Sequence, residues 1–320
     1  MTPGIHIDNV TAWLVANVPA IRTPIEFSLI AGGHSNLTYR CTDAAGASYV
    51  LRRPPLGHVL ESAHDMGREY RIITALRNSA VAVPQTFALC TDSAVNEAPF
   101  FVMAYVGGLV LNDSVAGASV PLSDRHALGT HVIDILCELH RLDPDALGLG
   151  TLGRKEAYLT RQLTRWTRQW EASKTHEIPE MEESCRILTA TMPEQVGSTI
   201  VHGDYRLGNM IVAGSTVKAV LDWELCTLGD PLADLGYLLN NWVGPADVVA
   251  GAGDNSPTAV GGYPTRDELS AIYSARTGRD LAHINYYRAF SHWRLAAIGQ
   301  GVYKRYLVGA MGDDPDIDLN

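Results

Sequence analysis

Two hydrophobic periods divide this chain, and their order limits the folds open to it. Between residues 25 and 106 the apolar residues fall into short runs of strand length; from about 123 they recur at helical spacing. Strands are predicted at 25–30, 37–41, 49–53, 83–90 and 99–106, separated by turn sequences such as AGGHSN and DAAGAS. One amphipathic helix interrupts them over 64–78, with Met66, Tyr70, Ile73 and Leu76 on one stripe, and another precedes them over 5–18. Beyond 123, long helices include 156–172 and 180–191, followed by short strands at 199–202, 210–213 and 217–222. This order predicts an α+β bilobal protein. Residues 1–106 would form a five-stranded antiparallel lobe with one helix, and residues 107–320 a mainly helical lobe.

Charge and cysteine usage narrow the partners. The chain of 320 residues carries 35 Asp and Glu against 25 Lys and Arg, a formal charge of −10. A nucleic-acid partner is therefore not expected, since that footprint is basic. The five cysteines are widely spaced, with no CxxC pair, which speaks against a disulfide framework and for a reducing, cytoplasmic setting. The first residues show no basic region followed by an apolar run, so no signal peptide is expected. No membrane partner is expected either: the longest apolar stretch, 100–111, is short and glycine-interrupted, while a span needs about 20 residues.

The chemistry is concentrated in residues 200–212, IVHGDYRLGNMIV, and in LDWE at 221–224. Asp204, on a turn between short strands, can stand at a cleft mouth as a base. Asn209, five residues on, and Asp222, leaving the next strand, offer hard oxygens to a cation. Mg²⁺ takes one or two carboxylates together with substrate phosphates and waters. Phosphoryl transfer asks for such a set: one Asp for the hydroxyl proton, an Asn and an Asp for metal.

HGDYRLGN followed by LDWE resembles the aminoglycoside phosphotransferase/choline kinase family, whose fold is similar to that of protein kinases. The resemblance implies ATP as cofactor, with GTP left open, Mg²⁺, and a small-molecule hydroxyl acceptor. Protein kinases carry a lysine on the third strand; here the strand reads Tyr49-Val50-Leu51-Arg52. Alternation puts Val50 and Arg52 on one face and Arg53 on the other. Arg52 thus takes the lysine position as a departure from the pattern, with Glu69 as its acidic partner. Ser35 and Asn36 stand where the family's phosphate-covering loop lies, either as phosphate donors or as a plain hairpin turn. The resemblance gives adenine the backbone of Ala104 and Val106, and Met103 either lines that pocket or belongs to the core. Asp234 and His202 are implied as braces of the catalytic loop. Glu224 is either a second metal ligand or solvent-facing, with the preference for solvent.

A protein kinase is not expected, because Asp222 is followed by Trp-Glu and no APE sequence comes after it. YVLRRPP at 49–55, YLTRQLTRW at 158–166 and YYRAFSHWRLAAI at 286–298 are similar to the phosphotransferase domain fused to some acyl-CoA dehydrogenases. That branch implies a hydroxyacyl-CoA acceptor. An aminoglycoside-type antibiotic kinase and a nucleotide-binding pseudokinase stand as alternatives. Arg161, Arg165 and Arg168 share one helix face, which suits either CoA phosphates or solvent. Tyr237, Asn240, Asn241, Trp242, His292 and Arg294 are further candidates for an acceptor pocket.

Overall fold

A computed structural model of the chain describes residues 2–31, 36–56, 65–247 and 255–308. The elements in chain order begin with α1 (Ile7–Asn17), β1 (Ile25–Ala31), β2 (Leu37–Asp43), β3 (Ser48–Arg53), α2 (Met66–Leu76) and β4 (Thr86–Cys90). There follow α3 (Ser93–Asn96), β5 (Phe100–Ala104), β6 (Leu109–Val110), α4 (Ser114–Ser119), α5 (Leu122–Arg141), α6 (Tyr158–Ser173) and α7 (Pro179–Ala190). The chain continues with β7 (Thr199–Val201), β8 (Met210–Ala213), β9 (Thr216–Val220), β10 (Thr227–Gly229), α8 (Leu232–Asn240), α9 (Arg266–Thr277) and α10 (Ile284–Leu307). By packing it forms two compact units. The first takes Met1–Val110, Asn209–Ala213 and Val217–Leu225; the second takes Leu111–Gly208, Gly214–Thr216 and Cys226–Asn320.

The first unit is built on an antiparallel sheet in the order β1-β2-β3-β5-β4. Its hairpin from β2 to β3 is set by Asp43, whose Oδ1 accepts from the N–H groups of Ala45 and Ala47, and by Gly46 at φ 79°. Tyr39, Leu51, Phe100 and Val102 form one face of the sheet, and Val10 and Leu14 of α1 cover it. The opposite face carries Arg52 and Phe101, and α2 packs there, Tyr70 meeting Phe101 edge to face. Asp65 caps α2 by accepting from Arg68 N–H at 2.9 Å, which fixes where Glu69 enters the helix. Strand β5 ends at Ala104, two residues before the predicted end, so Tyr105 and Val106 lie beyond the ladder. The short elements α3, α4, β6 and β10 have no counterpart in the predicted order.

In the second unit a buried carboxylate ties helices to a loop. Asp230, ahead of α8, accepts from Tyr287 Oη at 2.7 Å, Leu232 N at 3.0 Å and Val196 N at 3.2 Å. One turn into α8, Asp234 is also buried. Its two oxygens accept from His202 N at 2.6 Å and Gly203 N at 2.8 Å. His140, at the end of α5, lies 3.3 Å from Asp234 through Nε2 and 2.7 Å from Tyr273 Oη through Nδ1. Nε2 donates to the carboxylate, and Nδ1 accepts from the phenol. Burial pushes the His140 pKa below its ordinary value, and the charge of Asp234 does not fully restore it. Burial alone would raise the Asp234 carboxyl, but His140 and the Gly203 N–H hold it below the usual range.

Two stability outcomes follow from these packings. Leu51→Ala, which empties a fully buried position of β3, should destabilise the first unit by about 2–5 kcal/mol in denaturant unfolding. His140 binds a proton more readily unfolded than folded. Its contribution is therefore whole above about pH 6.5 and is lost as pH falls toward the folded value. Against His140→Gln, the wild type should lose up to about 1.4 kcal/mol more per pH unit below that point. Unfolding midpoints measured from pH 7.5 to 5 check this, and parallel curves would refute it.

Candidate active site

The first unit brings together Arg52, Glu69, Asp222 and Glu224. Arg52 Nε donates to Glu69 Oε2 at 3.0 Å, and its Nη2 to Asp222 Oδ1 at 2.6 Å. Strand alternation puts Arg52 on the α2 face, where Glu69 comes one turn into the helix. Glu69 is almost fully buried, with its side chain 3% exposed. Burial raises its pKa, while Arg52 and the backbone N–H of Trp223 pull it back. Burial works against the Arg52 charge too, but Glu69, then Asp222 and Glu224, outweigh it and hold the guanidinium above its ordinary pKa. Arg53, on the other face, is buried and donates to the carbonyls of Gly4 and Pro54.

Asp222 has φ 65°, in the left-handed region that residues other than glycine seldom adopt. Backbone strain of this kind collects at functional positions. Just before it, Leu221 N–H donates to the Asn209 carbonyl at 2.8 Å, so the two predicted metal ligands are held to each other through the backbone. Asn209 is 7% exposed. Among the described residues, no three His, Cys, Asp or Glu side chains gather as a cation cage. An Asn–Asp pair of hard oxygens instead suits Mg²⁺, which needs few protein ligands.

The remaining predicted residues of this unit stand as follows. Asn36 is buried, and its side-chain amide donates to Glu224 Oε2 at 3.3 Å. Glu224 is half-buried, so it keeps part of the solvent exposure that was the preferred expectation. Ser35, with residues 32–34 of the same loop, lies outside the described residues. Met103 is buried in β5, 6% exposed; Ala104 and Val106 are half-buried, and Ala104 N–H donates to the Gln85 carbonyl.

In the second unit, Asp204 follows the two N–H groups pinned by Asp234. Its own N–H donates to His202 Nδ1 at 3.2 Å, so the buried imidazole braces the loop from inside. The Asp204 carboxylate is 21% exposed, lies 3.4 Å from Arg206 Nε, and accepts from the Tyr237 phenol. Burial and the neighbouring Asp204 push the Tyr237 pKa well up, so the phenol stays a donor. Arg294 is buried beneath, donating to the Gly203 carbonyl at 2.9 Å with its guanidinium 5.0 Å from the Tyr237 ring centre. The other acceptor-pocket candidates divide. Asn240 and Asn241 line a cleft, whereas Trp242 is buried with its indole N–H on the Pro264 carbonyl, and His292 is exposed. Arg206 was not among the predicted site residues, although its place two after Asp204 signals it.

The predicted arginine face does not hold as a unit. Arg161 turns to the carbonyls of Arg154 and Leu228, and Arg165 lies over its neighbour Trp166, the guanidinium 5.1 Å from the ring centre. Arg168 remains exposed.

Comparison with known proteins identifies the family. Residues 26–269 match the model of APH, the phosphotransferase enzyme family. The chain is 40% identical over 291 residues to acyl-CoA dehydrogenase family member 10 of Mus musculus, covering 89% of this chain and 27% of that protein. It is 36% identical to family member 11 of Gallus gallus, over 87% of this chain and 36% of that protein. The chain thus spans about a third of these relatives. A solved Ralstonia eutropha protein, provisionally named an aminoglycoside phosphotransferase, is 33% identical with a TM-score of 0.78, covering 96% of this chain and 91% of that one. The type VIII aminoglycoside-3′-phosphotransferase, 17% identical with a TM-score of 0.59 over 90% of this chain and 99% of its own, shares the kinase-like fold. No helix among the described residues is long and apolar enough to cross a membrane. The chain belongs to the APH phosphotransferase family, with the family's kinase-like α+β fold.

Proposed function

We propose that this phosphotransferase is an ATP- and Mg²⁺-dependent kinase that phosphorylates a hydroxyl of a small metabolite. The observation that carries the reading is Asp204, a partly exposed carboxylate on a loop whose backbone is fixed by buried Asp234. Asp204 accepts the acceptor's hydroxyl proton as that oxygen bonds to the γ-phosphorus. The bond from the γ-phosphorus to the bridging oxygen breaks, and ADP leaves with the electron pair. Asn209 and Asp222 are the residues to hold Mg²⁺, which when bound neutralises charge on the phosphate oxygens. Arg52, steadied by Glu69, contacts nucleotide phosphates, and its fork can do so bidentately where a lysine could not. Met103, Ala104 and Val106 form the adenine end.

Similarity to acyl-CoA dehydrogenase family members supports a hydroxyacyl-CoA as acceptor, and the Ralstonia relative's name supports an aminoglycoside. One observation favours a further reading, a nucleotide-binding pseudokinase: Arg52 holds Asp222 Oδ1 at 2.6 Å, so one of the two oxygens that would face a cation is already engaged by a positive side chain.

ADP release with Mg²⁺, measured over hydroxyacyl-CoAs and aminoglycosides side by side, separates these readings. Turnover of a hydroxyacyl-CoA alone supports the first acceptor; tight nucleotide binding with no turnover supports the pseudokinase. Asp204→Asn should lower kcat by about 10²–10⁴-fold with the fold intact, and near-normal turnover would remove Asp204 as base. Arg52→Ala should destabilise the first unit by about 3–5 kcal/mol, because Glu69 is left buried without the cation that balances it; Arg52→Lys should recover part of that in thermal unfolding.

A further inference from the structure

Beside Asp204 the second unit holds a cleft of about 320 Å³. Its polar lining is Arg206, Asn112, Asn240, Asn241, Asn255 and Ser256. Arg206 is the one charged residue among the described residues that line it, and no carboxylate faces it from them. Several of the amides are already oriented. Asn240 exchanges hydrogen bonds with Arg288, accepting from its Nε at 3.1 Å and donating to its carbonyl at 2.8 Å. Asn241 donates to the Tyr237 carbonyl at 2.9 Å, and Asn255 Oδ1 accepts from Ser114.

Arg206 is placed by a glycine. A Cβ at Gly208 would fall 2.2 Å from Arg206 Nη1 and 2.8 Å from Asn112 Oδ1, so both side chains converge over the bare backbone there. Nε, on the near side of the guanidinium, faces Asp204. Among the described residues its terminal amino groups make no ion pair, and a guanidinium presents five donors in a fixed fork. An ammonium group entering this cleft would meet the Arg206 cation and amides, and the nearby Asp204 carboxylate already lies 3.4 Å from Arg206 Nε. A carbonyl or anionic oxygen would find donors.

We propose that Arg206 determines acceptor specificity: it binds a carbonyl or anionic oxygen close to the acceptor's reactive hydroxyl, and it excludes cationic acceptors. The inference rests on the kinase reading for the hydroxyl at Asp204. Arg206 is a binding residue in this role, so its loss acts on acceptor KM before kcat.

The test uses the full chain and three probes: 4-hydroxybutanoate, its CoA thioester and kanamycin. Each is titrated calorimetrically without nucleotide, then assayed for ADP release with ATP and Mg²⁺. The wild type should bind both the free acid and the thioester and not kanamycin. Arg206→Gln should weaken binding and raise acceptor KM at least tenfold, with kcat changed less than threefold; Arg206→Lys should recover part of the loss. Gly208→Ala, at a position without positive φ, should displace the same two flexible side chains and raise KM in the same direction. Binding of both acid and thioester places the contact on the carboxyl-derived oxygen, while binding of the thioester alone moves it to the CoA phosphates and overturns the proposed position. A fall in kcat at unchanged acceptor KM would show Arg206 acting on the transferred phosphoryl group and overturn the proposal. So would preferential binding of kanamycin, or titrations that Arg206→Gln leaves unchanged. Arg206-dependent binding without ADP release from any probe would instead defeat the kinase reading and leave the specificity role standing.

Discussion

Arg52 is held between Glu69 and Asp222, and much of the first unit's local order is arranged around that cation. Glu69 is nearly sealed from water, so its charge is tenable only with the guanidinium against it. The sheet alternation that aims Arg52 at α2 sends Arg53 to the opposite face, where Gly4 and Pro54 take its charge with backbone carbonyls. Asp222 closes the arrangement from a left-handed backbone position, and the Leu221–Asn209 hydrogen bond ties it to the amide beside it. A lysine has one point charge; an arginine serves two carboxylates along different edges of its plane. The departure at residue 52 therefore has a geometric consequence. It lets one side chain secure the helix and the aspartate together.

The second unit solves the same difficulty differently. Asp234 is as buried as Glu69, yet it has no arginine partner. Its oxygens are satisfied by the His202 and Gly203 N–H groups and by a neutral imidazole, His140, which Tyr273 orients in turn. Several hydrogen bonds to one carboxylate can keep it ionised in a site that burial alone would neutralise. The result is a loop fixed through its backbone, leaving the Asp204 side chain to meet solvent, Arg206 and Tyr237.

The sequence was most legible where a physical period or a fixed spacing repeats. All five strands of the first sheet and the helix carrying Glu69 follow from hydrophobic pattern, and the pairing of Arg52 with Glu69 follows from strand alternation plus the family resemblance. Short elements escaped: β6 and β10 have two and three residues, too few for any period to show. The contact of half-buried Glu224 with Asn36 could not be read either, since the two are distant in sequence and brought near only by folding. Helical spacing put Arg161 and Arg165 on one face, but it could not reveal the carbonyls of Arg154 and Leu228 that claim Arg161. His140 and Tyr273 gave no signal either, since a buried histidine and tyrosine in helical stripes read as ordinary core.

The bulk charge of −10 suggests a preference for cations, but the field at a cleft is set by the groups that line it. Exposed carboxylates farther away than about 8–10 Å are largely screened at physiological salt. Arg206 lines the cleft directly, beside amides that present donors without adding charge. Asp204 moderates that cation rather than cancelling it, because the contact at 3.4 Å engages only Nε and leaves the fork's outer edge open. A protein that is acidic overall can thus offer a local site for oxygen-rich groups. The glycine at 208 is what makes this possible, since any larger residue there would compete with the guanidinium for the same space.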